Sequence, residues 1–191
     1  MDNAKLVMLD DDLSFAKRDG DGKHFHVCNE IELRAMFEKL DEVLDRYAHA
    51  GVCERFMSQH RPREFQLNTK YLNLLACNLA LFPTPQPRAR TLVCEDIDIN
   101  LQLLTQGYQN ILLTEWCQSN VPNASGGCST YRTDEVRKES QEQLEKNFPG
   151  IVETLDRSEG SPRMNRISWS LAIKQGRRRF PRVIRFPRIQ K

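Results

Sequence analysis

The chain has 191 residues, of which 28% are charged and 39% apolar, and its formal net charge at pH 7 is +2. This composition predicts one soluble globular domain with a hydrophobic core. It excludes a membrane protein, because no apolar run approaches the length of a span. Residues 1–20 lack a basic start followed by an apolar run, so no signal peptide is expected. The six cysteines show no CxxC spacing, which favours reduced thiols and a cytoplasmic location over a disulfide set or a zinc site.

The charge is unevenly distributed along the chain. Residues 163–191 contain ten Lys or Arg and no Asp or Glu. The first 162 residues hold the other 18 basic residues and all 26 acidic ones, a balance of −8. This polarity predicts an acidic domain over residues 1–158, followed by a basic, Arg/Pro-rich tail over residues 159–191.

In chain order, the first predicted elements are strands at residues 5–9 and 24–27, followed by a long helix. Asn29 is expected to cap this helix, with Glu32 completing a capping box. Gly51 is expected to end it.

Further elements are predicted along the rest of the chain, namely a strand or helix at 71–82, a strand at 91–94, a helix at 100–106 ended by Gly107, a strand at 111–113 and a helix at 133–147. Residues 117–130 are predicted to be a loop. Alternating strands and helices indicate an α/β fold.

Two acidic clusters, about 85 residues apart, each follow a short apolar run. Asp10-Asp11-Asp12 follows residues 6–9, and Glu95-Asp96-Ile97-Asp98 follows residues 91–94. Such runs predict buried strands, and α/β sheets place their ligand chemistry at the carboxyl ends of strands. Hard carboxylate ligands suit Mg²⁺ or Mn²⁺. The alternative is that Asp10-Asp11-Asp12 is an acidic, solvated turn.

The order of these motifs resembles the GT-A glycosyltransferases. In that family an apolar strand ends in a DxD motif, and a later ED-type motif opens a helix that ends in a Gly-aromatic pair. Here the DxD is Asp10 to Asp12, the ED motif is Glu95-Asp96, and the pair is Gly107-Tyr108. The resemblance covers about residues 5–155. It implies a partial GT-A-like mixed sheet flanked by helices.

A second, narrower resemblance lies in the Gly-Gly segment from Asn123 to Thr133. It is similar to the corresponding loop of the TET/JBP-associated glycosyltransferases, which occur in phages and in eukaryotic relatives. That family implies sugar transfer to hydroxymethylated bases in DNA. An ordinary Gly/Ser loop is the alternative for this segment.

The GT-A resemblance implies roles for the acidic residues. Asp10 and Asp12 would bind Mn²⁺ or Mg²⁺, and Asp10 and Asp11 would contact the nucleotide sugar. Asp96 would be the general base that takes the proton of the acceptor hydroxyl. Glu95, or alternatively Asp98, would orient that base or contact the acceptor.

The resemblance also implies roles in the Gly-Gly segment. Gly126 and Gly127 would allow the backbone to approach the sugar or the acceptor closely. Arg132 would hold a phosphate of the donor.

Two features depart from the GT-A pattern. That family normally has on the order of a hundred residues of strand–helix units before the DxD strand, comparable to one nucleotide-binding half. Three explanations stay open: a truncated gene model, a second chain that supplies the missing half, or an inactive product. The late histidine that many GT-A enzymes use as a metal ligand is also unassigned, because histidines 24, 26, 49 and 60 all precede the ED motif. His24 and His26 have metal-ligand spacing, but exposed polar side chains are the simpler and preferred interpretation of this pair.

Two alternative functions remain at this level. One is a HAD-like phosphotransferase or phosphatase, with Asp10 as nucleophile, Asp12 as acid/base and Thr69-Lys70 in a supporting role. The other is an inactive remnant that binds nucleic acid through its tail.

The tail at residues 163–191 itself supports two interpretations. Its cations fit the phosphates of DNA, with Phe180 and Phe186 available to stack on bases. Alternatively, these two side chains fold back onto the domain together with Trp169 and Ile173.

Overall fold

The structure is a computed structural model that describes residues 4–58, 64–81, 93–120, 133–155 and 164–179. The strands of these segments are β1 (Lys5–Leu9), β2 (Leu13–Arg18), β3 (Phe25–Val27), β4 (His49–Glu54), β5 (Phe65–Leu67), β6 (Leu74–Asn78), β7 (Asn110–Asn120), β8 (Val152–Leu155) and β9 (Met164–Ile167). The helices are α1 (Glu30–Leu44), α2 (Arg55–Ser58), α3 (Glu95–Thr105), α4 (Asp134–Asn147) and α5 (Trp169–Arg179).

The main sheet is mixed and has the strand order β1-β6-β4-β7-β2-β3, with β5 also paired to β7. Strands β4 and β7 are parallel, and every other pair in this sheet is antiparallel. Strands β1, β4 and β7 therefore run in one direction, so their carboxyl ends meet the amino ends of β2 and β6 at one edge. We call this edge, defined by Asp10–Leu13, Glu54, Asn73 and Gln118–Asn120, the carboxyl edge.

Helix α1 covers one face of the sheet. Its start is fixed locally, because the Asn29 side chain accepts from the Glu32 backbone N–H while the Glu32 carboxylate accepts from the Asn29 N–H. The predicted capping box is therefore confirmed. The apolar stripe of the helix is buried against β4, β6 and β7, and its buried members are Met36, Leu40, Val43 and Leu44.

Helix α3 covers the opposite face of the sheet through Ile99 and Leu103, which pack with Leu75 and Leu112. It crosses the sheet from the carboxyl edge toward the start of β4. There the His49 ring lies 3.3 Å from the carbonyl oxygen of Tyr108.

A further layer covers the other side of α3. Leu101 and Leu104 point away from the sheet and pack against Leu144 of α4 and Ala172 and Ile173 of α5. The small β8–β9 hairpin, which is antiparallel, contributes Val152 to the same cluster.

A β-bulge shapes the middle of β7. Val52 pairs with Leu113, but the next residue, Cys53, pairs with Cys117. The register shift frees the carbonyl of Thr114 from the ladder, and Arg18 donates to it from Nε at 3.3 Å and from Nη2 at 3.2 Å. The bulge sets the register of Gln118, which lies opposite Glu54.

Two sequence predictions about the ends of elements are wrong. Val93 and Cys94 form a bend rather than the end of a strand, so the acidic cluster that follows opens a helix; residues 91–92 lie outside the described residues. Gly51 does not end α1, which stops at Leu44; it lies inside β4. A Cβ there would lie 2.6 Å from the Tyr71 side chain, which is the physical reason for a glycine.

Strand β1 is present but not buried as predicted. It is an edge strand, and Leu6, Met8 and Leu9 are 42%, 46% and 49% exposed. The segment at 117–120, predicted as loop, is the end of β7. The remaining helix and strand predictions are confirmed in type, including the helix predicted at 133–147, which is α4, and a strand, β6, within residues 71–82.

The described part of the tail does not extend into solvent. Trp169 and Ile173 of α5 pack into the cluster beneath α3, while Phe180 and Phe186 lie outside the described residues. The predicted boundary between residues 158 and 159 stays a prediction, although β8 and β9 pair across it.

The described residues also bear on the predictions made for the cysteines and for membrane spans. The cysteines within the described ranges, residues 28, 53, 77, 94 and 117, are free thiols, and burial raises the pKa of Cys77 and of Cys117 to about 12. No described helix has both the length and the apolar character to cross a membrane.

Gly176 tests the docking of α5. A Cβ at this position would lie 2.3 Å from the Leu104 carbonyl oxygen and 2.3 Å from the Gly107 nitrogen, both backbone atoms. We expect Gly176→Ala to lower the free energy of unfolding by about 2 kcal/mol, because the helices must separate. In an undocked helix the same change stabilises by about 1 kcal/mol. Urea unfolding of this variant and of exposed Lys174→Ala measures the sign, and stabilisation by Gly176→Ala would contradict the docking.

Candidate functional site

The acidic turn between β1 and β2 lies at the carboxyl edge. Asp10 and Asp11 are exposed, and Asp12 is half-buried. Asp11 and Asp12 form a turn rather than an extension of β1. The turn carries the chain from one outer strand to β2, on the far side of β7.

Asn73 joins this turn to the second acidic cluster. Its carbonyl oxygen accepts from the Asp10 backbone N–H at 3.0 Å, and its own N–H donates to Oδ2 of Asp96 at 3.1 Å. Asn73 has φ 63, in the left-handed region that asparagine tolerates better than most residues. The structure therefore brings Asp10 and Asp96 to two sides of a single residue.

Gln118 supports this arrangement from β7. Its side chain is 1% exposed, donates to the Leu72 carbonyl at 3.2 Å and accepts from the Asn73 side-chain amide at 3.4 Å. Its register partner Glu54 lies 3.9 Å from Nζ of Lys70. The site thus contains a cation beside its carboxylates.

The ED cluster occupies the first turn of α3. Cys94, at the N-cap, makes no side-chain capping hydrogen bond, so Glu95, Asp96 and Asp98 supply the negative charge that a helix N-terminus favours. Glu95 and Asp96 are half-buried. Asp98 is fully buried and accepts from Gln102 at 3.1 Å, so direct contact with an acceptor is not open to it.

A buried amide network fixes α3 against the sheet. The Asn110 side-chain amide donates to the Thr69 carbonyl at 2.7 Å and to Oδ1 of Asn100 at 2.9 Å, and its own Oδ1 accepts from the Thr69 N–H at 3.0 Å. Asn100 also donates to the Thr69 carbonyl, at 3.2 Å. Asn100 and Asp96 are one helical turn apart, so the network also sets where Asp96 lies.

The donor chemistry of the turn fits a hard divalent cation. Mg²⁺ is commonly bound by one or two carboxylates together with substrate phosphates and water, and Asp10 and Asp12 supply that number. Over the residues the structure describes, no three His, Cys, Asp or Glu side chains are grouped to hold a metal by themselves. A cation at this turn therefore requires oxygen ligands from a bound diphosphate or from water.

The histidines do not join the site. His26 is bracketed by Asp19 and Glu32, which raise its pKa, and Asp21 raises the pKa of His24. Both rings are exposed, which matches the simpler interpretation of this pair. His49 is fully buried against the Tyr71 hydroxyl at 2.6 Å, and burial lowers its pKa to about 3.

Some residues considered in the sequence analysis lie outside the residues that the structure describes. Gly126, Gly127, Arg132 and His60 lie outside the described residues. The catalytic and metal-binding roles of Asp10, Asp12, Glu95 and Asp96 stay predictions, as does the donor contact of Asp11. Asn73 and Gln118 were not predicted, because an isolated amide residue carries no sequence signal for a site.

The chain belongs to a glycosyltransferase family. Its sequence matches the TET-Associated Glycosyltransferase family over residues 3–128, which is more than half of the chain and contains both acidic clusters. The mixed sheet flanked by helices confirms the expected partial GT-A-like architecture. No curated protein and no solved structure matches the chain. Because the chain belongs to this family, the HAD-like alternative is not retained.

The buried network predicts a large effect of Asn110→Ala. This change removes the donor to the Asn100 side-chain oxygen and the acceptor of the Thr69 N–H in the interior, so we expect a loss of about 2 kcal/mol in the free energy of unfolding. The matched control is Asn120→Ala, which removes the same side chain from the exposed end of the same strand. Urea unfolding measures both, and equal stabilities of the two variants would contradict the role of the network.

Proposed function

We propose that this glycosyltransferase moves a sugar from a nucleotide sugar to a hydroxyl group carried by a hydroxymethylated base in DNA. The observation that carries the proposal is the meeting of the Asp10–Asp12 turn and Asp96 at the carboxyl edge through Asn73. A transferase needs a donor-binding group and a base within reach of one another, and two carboxylate clusters at one sheet edge supply such a pair.

In the proposed reaction the acceptor oxygen forms a bond to the anomeric carbon of the sugar. The bond from that carbon to the diphosphate breaks, and the nucleoside diphosphate leaves with the electron pair. Asp96 takes the proton of the acceptor hydroxyl, and Glu95, beside it, orients the acceptor. Asp10 and Asp11 contact the donor.

The proposed cofactor is Mn²⁺ or Mg²⁺, held by Asp10 and Asp12. When bound, the cation neutralises charge that develops on the leaving diphosphate. Gly126, Gly127 and Arg132 keep their proposed donor contacts, on the resemblance alone.

The DNA acceptor is supported by the exposed face of α5. Lys174, Arg177 and Arg178 are exposed on this helix, and α5 contains no carboxylate. Ala172 and Ile173 pack beneath α3 and hold in place the helix that carries these three cations. Cations on a docked helix, continued by a chain without acidic residues to position 191, form a surface of one sign that can neutralise the phosphates of a polyanion.

Asp96→Asn tests the chemistry. The amide keeps an oxygen that can accept from Asn73 but cannot take a proton, so we expect the transfer rate to fall by about 10²–10⁴-fold. Tritiated UDP-glucose and UDP-N-acetylglucosamine are incubated with Mn²⁺ and with a duplex containing 5-hydroxymethylcytosine, and label on the DNA is counted.

The matched control is Asp134→Asn, which changes an exposed aspartate in the first turn of α4. A duplex with unmodified cytosine lacks the acceptor hydroxyl and should receive no label, and EDTA should abolish transfer. Equal rates for Asp96→Asn and the wild type would refute the base assignment, and label on unmodified cytosine would refute the proposed acceptor.

The α5 surface is tested by changing charge without deleting the helix. We expect the triple variant Lys174→Gln, Arg177→Gln, Arg178→Gln to bind a 20-base-pair duplex more weakly, with a log–log salt slope lower by about 0.9 for each phosphate that the variant no longer neutralises. The control variant changes Arg137, Lys138 and Lys146 of α4 to Gln, an identical loss of charge on a helix rich in acidic residues. Fluorescence anisotropy measures both, and equal weakening would contradict a specific α5 surface.

A further inference from the structure

We infer that Asn73 is a positioning residue that holds the Asp10 turn and the Asp96 carboxylate in a fixed mutual position. This inference rests on the proposed function for the roles of the two aspartates. It adds a residue to the site that neither acidic motif contains. Asn73 acts through its hydrogen bonds to Asp10 and Asp96.

The backbone of Asn73 makes both connections. Its carbonyl accepts from the Asp10 N–H at 3.0 Å and its N–H donates to Oδ2 of Asp96 at 3.1 Å. In an ordinary extended strand, the backbone N–H and C=O of a residue form hydrogen bonds with a neighbouring strand of the sheet. At φ 63 the peptide groups on either side of Asn73 are turned out of the strand direction, just before β6 begins at Leu74. The left-handed conformation is therefore what lets one residue serve two elements.

The side chain of Asn73 has a separate task. Its amide donates to Oε1 of Gln118 at 3.4 Å, and the Gln118 amide in turn donates to the Leu72 carbonyl at 3.2 Å. These two hydrogen bonds tie the peptide before Asn73 and its side chain to β7. The unusual conformation is thereby held from the interior of the site, where Gln118 is buried.

The chain offers a matched control in Asn68. It is also an asparagine with positive φ, at 53, and it also precedes a short connection near the sheet. Its backbone N–H donates to the Asn110 carbonyl and its side chain accepts from Gln109 at 3.5 Å, so these hydrogen bonds involve neither aspartate. A substitution at Asn68 reproduces the loss of a left-handed asparagine without touching the proposed link.

The first measurement needs no substrate. In the ¹⁵N-labelled full chain, we expect Asp96→Ala to speed hydrogen exchange of the Asn73 amide by about tenfold or more, because that amide loses its acceptor. Asn73→Ala should speed exchange of the Asp10 amide in the same way, whereas Asn73→Gly, which keeps the left-handed backbone, should leave it protected. Asn68→Ala should leave the Asp10 amide unchanged. An Asp10 amide insensitive to Asn73→Ala, or an Asn73 amide insensitive to Asp96→Ala, overturns the inference.

The second measurement uses the labelled-sugar transfer to 5-hydroxymethylcytosine DNA at a temperature where every variant is folded. We expect Asn73→Ala to lower the turnover rate by about ten- to a hundredfold, since a small displacement of a reacting group has this effect. Asn73→Gly should restore most of the rate, and Asn68→Ala should match the wild type. If Asn73→Ala and Asn68→Ala lowered the turnover rate equally, Asn73 would be a residue that stabilises the fold and not one that positions the aspartates. Absence of transfer by the wild-type chain refutes the proposed function but leaves the exchange measurement to decide the link.

Discussion

The position of helix α3 depends on a small group of buried amides. Asn100, Asn110 and the Thr69 backbone exchange four hydrogen bonds in the interior. Apolar contacts such as those of Ile99 and Leu103 survive a small shift of the helix. Buried hydrogen bonds do not, because an amide that is pulled away from its partner in the interior has no water to replace it. A shift of α3 by one residue would break the network and move Asp96 away from Asn73. The geometry of the acidic site therefore depends on polar residues that carry no catalytic role.

Sequence patterns predicted the elements whose ends are determined by neighbours in the chain. The capping box of Asn29 and Glu32 depends on side chains three residues apart, and it is present. Where contacts distant in sequence decide, the same patterns failed. Gly51 has the composition of a helix stop, yet its lack of a side chain serves the Tyr71 ring that packs on β4. Val93 and Cys94 do not extend a strand up to the acidic cluster, because the chain turns there into α3.

The candidate site was predictable only in its charged half. Asp10 and Asp96 stand out because clustered carboxylates repel one another and need a reason to coexist. Asn73 gives no comparable signal. It and Asn68 are both asparagines with positive φ, and nothing in the local sequence indicates that one bridges two acidic elements while the other bonds to Gln109. That difference arises from β1 and α3 converging on the amino end of β6, which is a property of the sheet order.

The proposed function would bring two anionic ligands, a nucleotide diphosphate and DNA, to one small chain. At the carboxyl edge, Asn73 connects the Asp10–Asp12 turn to the acidic first turn of α3, and Lys70 is already engaged with Glu54. A nucleotide diphosphate brought there meets strong repulsion, which a divalent cation shared between the aspartates and the phosphates would relieve. The cations of α5 lie on the outer side of α3, beyond its Leu101 and Leu104 face. A helix is about 10 Å across, comparable to the screening length of about 8 Å at physiological salt. Under the proposed function, a polyanion on α5 would thus be separated from the acidic edge by about one screening length, which would weaken its repulsion by the aspartates.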